Sequence, residues 1–196
     1  MDTIGLTKQF LPPQIKPLDD DMVVVGRALT VQETDISEPS DQPFGLMFDA
    51  LDDLKPNEVY LATGMSPTYA IWGGLMSTRA IKLGAAGAIL NGYHRDTPEI
   101  RSLNFPMFSW GGYAQDQGGR GEVTDYRCPL PFENGVTVHP GDIVFGDIDG
   151  VVVVPQERES EVIELAIEKI HGENKVRDAI ESGMSAKDAF NKFGIF

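Results

Sequence analysis

The sequence predicts an α/β fold followed by a helical extension, and three observations predict it. From about residue 58 to residue 110, short apolar runs alternate with segments of helical spacing, as parallel strands joined by crossover helices do. From Val136 to Val154 the runs are short and interrupted by Pro-Gly and Asp-Gly turns, which is antiparallel β. From Glu157 to about Ser182 the apolar residues return at helical spacing. Residues 1–155 are therefore read as one α/β core and residues 156–196 as a C-terminal helical extension.

The elements follow in order. Met22 to Thr30 and Glu58 to Thr63 read as buried strands. Between them, Leu46, Met47, Ala50, Leu51 and Leu54 form the apolar face of a helix over residues 44–54, stopped by Pro56 and Asn57. A polar loop leads to Trp72-Gly73-Gly74, and a helix from about Leu75 to Leu83 ends at Gly84. Ala86 to Leu90 is a strand, Thr97-Pro98-Glu99 opens a helix, and Phe105 to Trp110 is a strand. Residues 111–127, rich in glycine and polar side chains, read as a long functional loop or an interface arm.

Beyond that loop, residues 136–138 and 142–145 flank the His139-Pro-Gly141 turn, and Asp147-Ile-Asp149-Gly150 turns the chain into Val151–Val154 as a hairpin. In the C-terminal helix, Gly172 predicts a bend. A helix of this length reaches ~39 Å, more than a compact monomer covers, so its distal half is expected on a neighbouring subunit. A short helix from Ser185 to Phe193 closes the chain.

With 196 residues, 41% of them hydrophobic, the chain can bury a full core. The net charge of -14 and the scattered lysines and arginines disfavour direct nucleic-acid binding, which rests on clustered cations. No apolar run approaches a membrane span, no signal segment opens the chain, and a cytoplasmic protein is the default expectation. The single cysteine, Cys128, excludes an internal disulfide and reads as structural. His94, His139 and His171 are too scattered for zinc, and His94 is read as a solvent or interface residue.

Two short motifs can carry chemistry. Gly73-Gly74 before a helix leaves the amides of Leu75 and Met76 free for an anion, or is simply a tight turn beside Trp72. Arg95-Asp96 follows the strand that ends at Leu90. Arginine can grip a carboxylate bidentately and aspartate can hold a divalent cation, although Asp96 can equally cap the helix opening at Thr97. Both motifs fall at the carboxyl edge of the predicted parallel strands, where α/β sheets bind ligands.

In these residues the chain resembles the RraA-like family of 4-hydroxy-4-methyl-2-oxoglutarate aldolases and regulators of ribonuclease E. The likeness runs through Val25–Val31, Trp72-Gly73-Gly74, Gly92–Asp96, Val138–Asp147 and Asp149–Pro155, in that order and spacing. It implies a swivelling β/β/α fold assembled as a homotrimer or a hexamer (a dimer of trimers) with sites between subunits. It also implies class II chemistry on a small oxo acid with Mg²⁺ or Mn²⁺. By the same resemblance, Arg95 binds substrate, Asp96 supports the metal, the amides at Gly74, Leu75 and Met76 hold the substrate, and Glu173 is offered by a neighbouring subunit.

Gly74 stands where the aldolase pattern has an acid, and Asn91 stands where it has an aspartate. Two functions are carried forward. One is a metal-dependent lyase giving pyruvate from a 4-hydroxy-2-oxo acid or by decarboxylating oxaloacetate. The other is a non-catalytic ring protein that regulates a ribonuclease or another partner.

Overall fold

The computed structural model describes residues 1–38 and 41–195, which fall into two compact units, Met1–Gln156 and the segment from Glu157 onward. In the first unit the strands are β1 (Lys16–Pro17), β2 (Val24–Asp35), β3 (Glu58–Thr63), β4 (Gly87–Leu90), β5 (Met107–Ser109), β6 (Gly121–Tyr126), β7 (Leu130–Pro131), β8 (Thr137–Val138), β9 (Ile143–Asp147) and β10 (Gly150–Val154). Its helices are α1 (Met47–Asp52), α2 (Gly74–Leu83) and α3 (Thr97–Ser102). The main sheet has the order β1-β5-β4-β3-β2-β9-β10, with β6 also paired to β2.

Strands β2, β3, β4 and β5 are mutually parallel, and α2 and α3 form the crossovers, as the alternation predicts. Their central residues are buried on both faces, which explains the unbroken apolar runs. Leu29, Tyr60, Ala62 and Leu90 enter one core with Trp72 and Phe105. Their neighbours Ala28, Val59, Leu61 and Ile89 enter a second core with Val144 and Val153. The period-2 alternation of strand side chains thus fills both faces.

Four boundaries differ from the sequence-based expectation. Strand β2 runs on to Asp35 because its far end serves a different partner: Val24–Arg27 pair with β9, Arg27–Gln32 with β3, and Val31–Asp35 with β6. Helix α1 is confined to residues 47–52, since Phe44 and Gly45 are left-handed and cannot begin it. The expected loop over 111–127 ends at Arg120, and Gly121–Tyr126 is strand β6. That strand carries no apolar alternation, with Val123 its one buried large side chain, so its pairing was invisible to periodicity. Strand β8 pairs with β7 rather than across the His139-Pro-Gly141 turn, whereas the Asp147–Gly150 hairpin forms as expected.

In the second unit, α4 (Glu159–Glu181) and α5 (Ala186–Phe193) are the helices. The helix α4 runs through Gly172 as one helix, as the expected span of residues 157–182 has it. The Ile195 Cδ1 methyl lies against the helix where a Cβ at position 172 would stand, so a larger residue there would have to displace it. Ser185 caps α5, its Oγ accepting from Asp188 N–H at 3.1 Å. No described helix is long and apolar enough to cross a membrane.

Candidate active site

Three loops leave the carboxyl ends of the parallel strands and are laced together by their backbones. Ile71 N–H donates to Tyr93 O, Ala70 N–H to Gln115 O, Arg95 N–H to Trp72 O and Tyr113 N–H to His94 O, all at 2.8–3.0 Å. Below them Trp72 stacks on Phe105 with centroids 5.9 Å apart, and its indole donates to Ser77 Oγ at 2.7 Å. The Gly73-Gly74 turn is therefore fixed from underneath as well as from both sides.

At that turn α2 begins with no side-chain cap of its own. Asp96, from the neighbouring loop, supplies one: Gly74 N–H donates to its Oδ2 at 3.0 Å. This places an anion at the positive end of α2. The amides of Leu75 and Met76, the next two of the first turn, have no intrahelical acceptor. Asp96 does not cap α3, although it sits at that helix's start with φ 58°. Aspartate is among the few non-glycine residues that adopt this left-handed backbone readily.

Arg95 lies beside Asp96, with Nε 3.8 Å from Oδ2, and its Nη1 is 2.8 Å from Asp116 Oδ2. Asp116 was not singled out by the sequence. Its one legible sign was its place in the polar loop read as functional. Together Gly73, Leu75, Met76, Arg95, Asp96 and Asp116 line a cleft of about 250 Å³ whose apolar wall includes Phe44, Met47 and Phe48. Such a volume suits a small polar molecule rather than a cofactor-sized one.

Glu173 belongs to the second unit, where it pairs with Lys169 one turn away at 3.4 Å. His94 is not a solvent or interface residue: it is buried, with Nδ1 2.7 Å from Ser109 Oγ and Nε2 2.9 Å from Thr97 Oγ1. Burial lowers its pKa, and it serves as a tie between β5 and α3. Cys128 is a free thiol pushed up chiefly by burial, in keeping with a structural role. Asp147 accepts from Asp149 N–H at 2.9 Å, which is turn chemistry.

The third loop is held by a buried carboxyl group. Gln117 Nε2 donates to Glu33 Oε2 at 2.8 Å, while Glu33 Oε1 has no partner. Burial raises the Glu33 carboxyl from 4.5 to about 8, so it keeps its proton at neutral pH. A carboxyl whose folded value lies above its unfolded one binds more protons when folded, so stability falls as pH rises from 4.5 through about 8. The urea midpoint is expected to decline over this window, and Glu33→Gln to flatten the decline. A slope unchanged in the variant would assign it to other groups.

Residues 1–153 match the family model described as RraA-like: Aldolase/RraA. The chain belongs to the RraA-like family. It is 32% identical over 190 residues to protein DlpA of Legionella pneumophila, covering 96% of this chain but 30% of that protein. A Halalkalibacterium halodurans protein, provisionally named 4-hydroxy-4-methyl-2-oxoglutarate aldolase, is 32% identical over 95% of this chain and 84% of its own. The crystal structure of Streptomyces coelicolor RraAS2, described as an unusual member of the RNase ES inhibitor RraA family, superposes with a TM-score of 0.80. That match is 26% identical over 90% of this chain and 87% of the other. The α/β class and the swivelling β/β/α arrangement expected from the resemblance are thereby met.

Of the two Asp96 carboxylate oxygens, Oδ2 accepts from Gly74 N–H. Among the described residues no three acidic, histidine or cysteine side chains gather closely enough to enclose a metal ion. Such a donor set does not fit a caged ion such as structural zinc.

Proposed function

We propose that this chain is a divalent-metal-dependent (class II) lyase releasing pyruvate from a 4-hydroxy-2-oxo acid, with oxaloacetate decarboxylation as the related reaction. The observation that carries the reading is the convergence of Arg95, Asp96 and the free amides of Leu75 and Met76 on one small cleft. The provisional aldolase name of the Halalkalibacterium relative supports it.

Asp96, with waters, would hold Mg²⁺ or Mn²⁺, which supplies Lewis-acid stabilisation of the enolate that develops as the C–C bond breaks. The amides of Leu75 and Met76 bind the substrate carboxylate at the helix terminus. Arg95, steadied by Asp116, offers its remaining donors to the oxo acid and balances the charge of the carboxylates around it. Phe44, Met47 and Phe48 shield the reacting carbons from water. Pyruvate release measured with and without a chelator tests the reading. Release that needs the metal supports it, and none from any 4-hydroxy-2-oxo acid or oxaloacetate refutes it.

The rival, a non-catalytic ring protein acting on a ribonuclease or another partner, draws on Gly74 in place of the pattern's acid and on the description of RraAS2. The same assay separates the two.

Either reading includes a homotrimer or hexamer, and in the lyase Glu173 would complete a neighbour's site. Ile163, Ile167 and Ile170 of α4 are 47–56% exposed in the single chain, a stripe that a second copy would cover. Light scattering is expected to give a trimer or hexamer, and Ile167→Asp to give smaller species. A variant of unchanged mass would remove α4 from the interface.

A further inference from the structure

Glu33 lies on β2 beneath the third loop of the cleft, fully buried and without an ion pair among the described residues. The titratable groups that sense its charge are Tyr60 on β3 and Tyr69 in the segment before α2, whose hydroxyl donates to Asp35 at 2.9 Å. Both phenols stay neutral, since burial pushes their ionisation up. Among the described residues no cation offsets a charge on Glu33, and a carboxyl so placed keeps its proton until about pH 8. One hydrogen bond is open to it. Oε2 lies 2.8 Å from the Gln117 side-chain amide, and Oε1 has no partner.

That contact decides which end of the amide the cleft meets. A side-chain amide accepts at its carbonyl end and donates at its NH₂ end, and its partner chooses between them. With Nε2 toward Glu33, Gln117 stands as an ionised carboxylate requires. A neutral Glu33 has a proton to place. On Oε1 it would be a buried donor with no acceptor, whereas on Oε2 it can be donated to the Gln117 carbonyl across the same short gap. Turning the amide over exchanges its two ends without moving the loop. Gln117 lines the cleft with Arg95 and Asp116. Its amide end not used on Glu33 has no hydrogen bond among the described residues and is not sealed from solvent.

We propose that Gln117 is a substrate-binding residue of the cleft and that Glu33 is its positioning residue. While Glu33 carries its proton, the Gln117 NH₂ points into the cleft and donates to an oxygen of the bound oxo acid. When Glu33 ionises, the Gln117 carbonyl takes that place and repels the anion. The proposal rests on the oxo-acid reading above and adds a donor to it, beside Arg95 and the α2 amides. It also gives a task to a carboxyl group whose burial costs the fold stability.

Calorimetric titration of the full chain with oxalate in the presence of Mg²⁺ tests this without turnover. Oxalate offers its oxygens as a small oxo acid does and stays a dianion from about pH 6 to about pH 9.5, so a pH dependence there belongs to the protein. The parent's affinity is expected to fall at least ~10-fold across that range, the loss of a hydrogen bond to a charged group. Glu33→Gln supplies an NH₂ that donates to the Gln117 carbonyl at every pH, and it is expected to keep the parent's acid-side affinity throughout. Gln117→Leu is expected to bind at least ~10-fold more weakly on the acid side and to lose the pH dependence. A parent affinity flat with pH, a fall that persists in Glu33→Gln, or Gln117→Leu binding like the parent each overturns the proposal and leaves the lyase reading standing. Oxalate that fails to bind the parent at any pH also overturns it, and the pyruvate assay then decides the lyase reading separately. Thermal melts at both ends of the range establish folding, and the Gln117→Leu comparison stands by itself if position 33 does not tolerate the change.

Discussion

Replacing Asp96 by asparagine is expected to abolish divalent-cation binding and pyruvate release while the protein stays folded. A neutral amide is a poor ligand for a hard cation, and a centre with so few protein donors has nothing to compensate. The lost stabilisation of developing charge is several kcal/mol, a fall in rate on the order of 10³-fold. The fold survives for two local reasons. Asparagine tolerates the left-handed backbone at φ 58° as aspartate does, and its amide oxygen can still accept from Gly74 N–H. Losing the charge at the α2 terminus costs about 0.3–1 kcal/mol. Calorimetric titration with Mg²⁺ and a thermal melt separate the two effects. Equal metal affinity in the variant would reduce Asp96 to a cap for α2.

The cap that Asp96 provides marks the boundary of what the sequence could tell. Its local surroundings, Thr97 and Pro98, point to a cap on α3, yet its carboxylate serves α2, twenty-two residues upstream. The alternation of strands and helices was legible because each parallel strand is buried on both faces and each crossover helix carries its own stop signals. The carboxyl-edge placement of Gly73-Gly74 and Arg95-Asp96 followed from that alternation alone. What was not legible is what tertiary packing creates. Asp116 matters because its loop is tied to Ala70 and His94. His94 looked like a surface residue because nothing local reveals that Ser109 and Thr97 satisfy both ring nitrogens. Glu33, a charged residue type in a strand, gave no sign that it would be buried and protonated beneath the third loop.

Arg95→Lys is expected to lower kcat/KM for the oxo acid about 100-fold, or ~2.7 kcal/mol, with little change in melting temperature. The guanidinium has two tasks that one ammonium cannot share. Its Nη1 is committed to Asp116 at 2.8 Å, which fixes the side chain, and the residue lines the cleft. A lysine Nζ is a single point that can satisfy Asp116 or the substrate with full strength, but not both with the geometry of a planar fork. Stability is insensitive because Arg95 and Asp116 are both more than 40% exposed, and such pairs contribute under about 1 kcal/mol. Asp116→Asn extends the test: it leaves the guanidinium charge in place but frees it to swing, so KM should rise while the arginine still binds. Kinetics of Arg95→Lys equal to the parent's would remove Arg95 from the site.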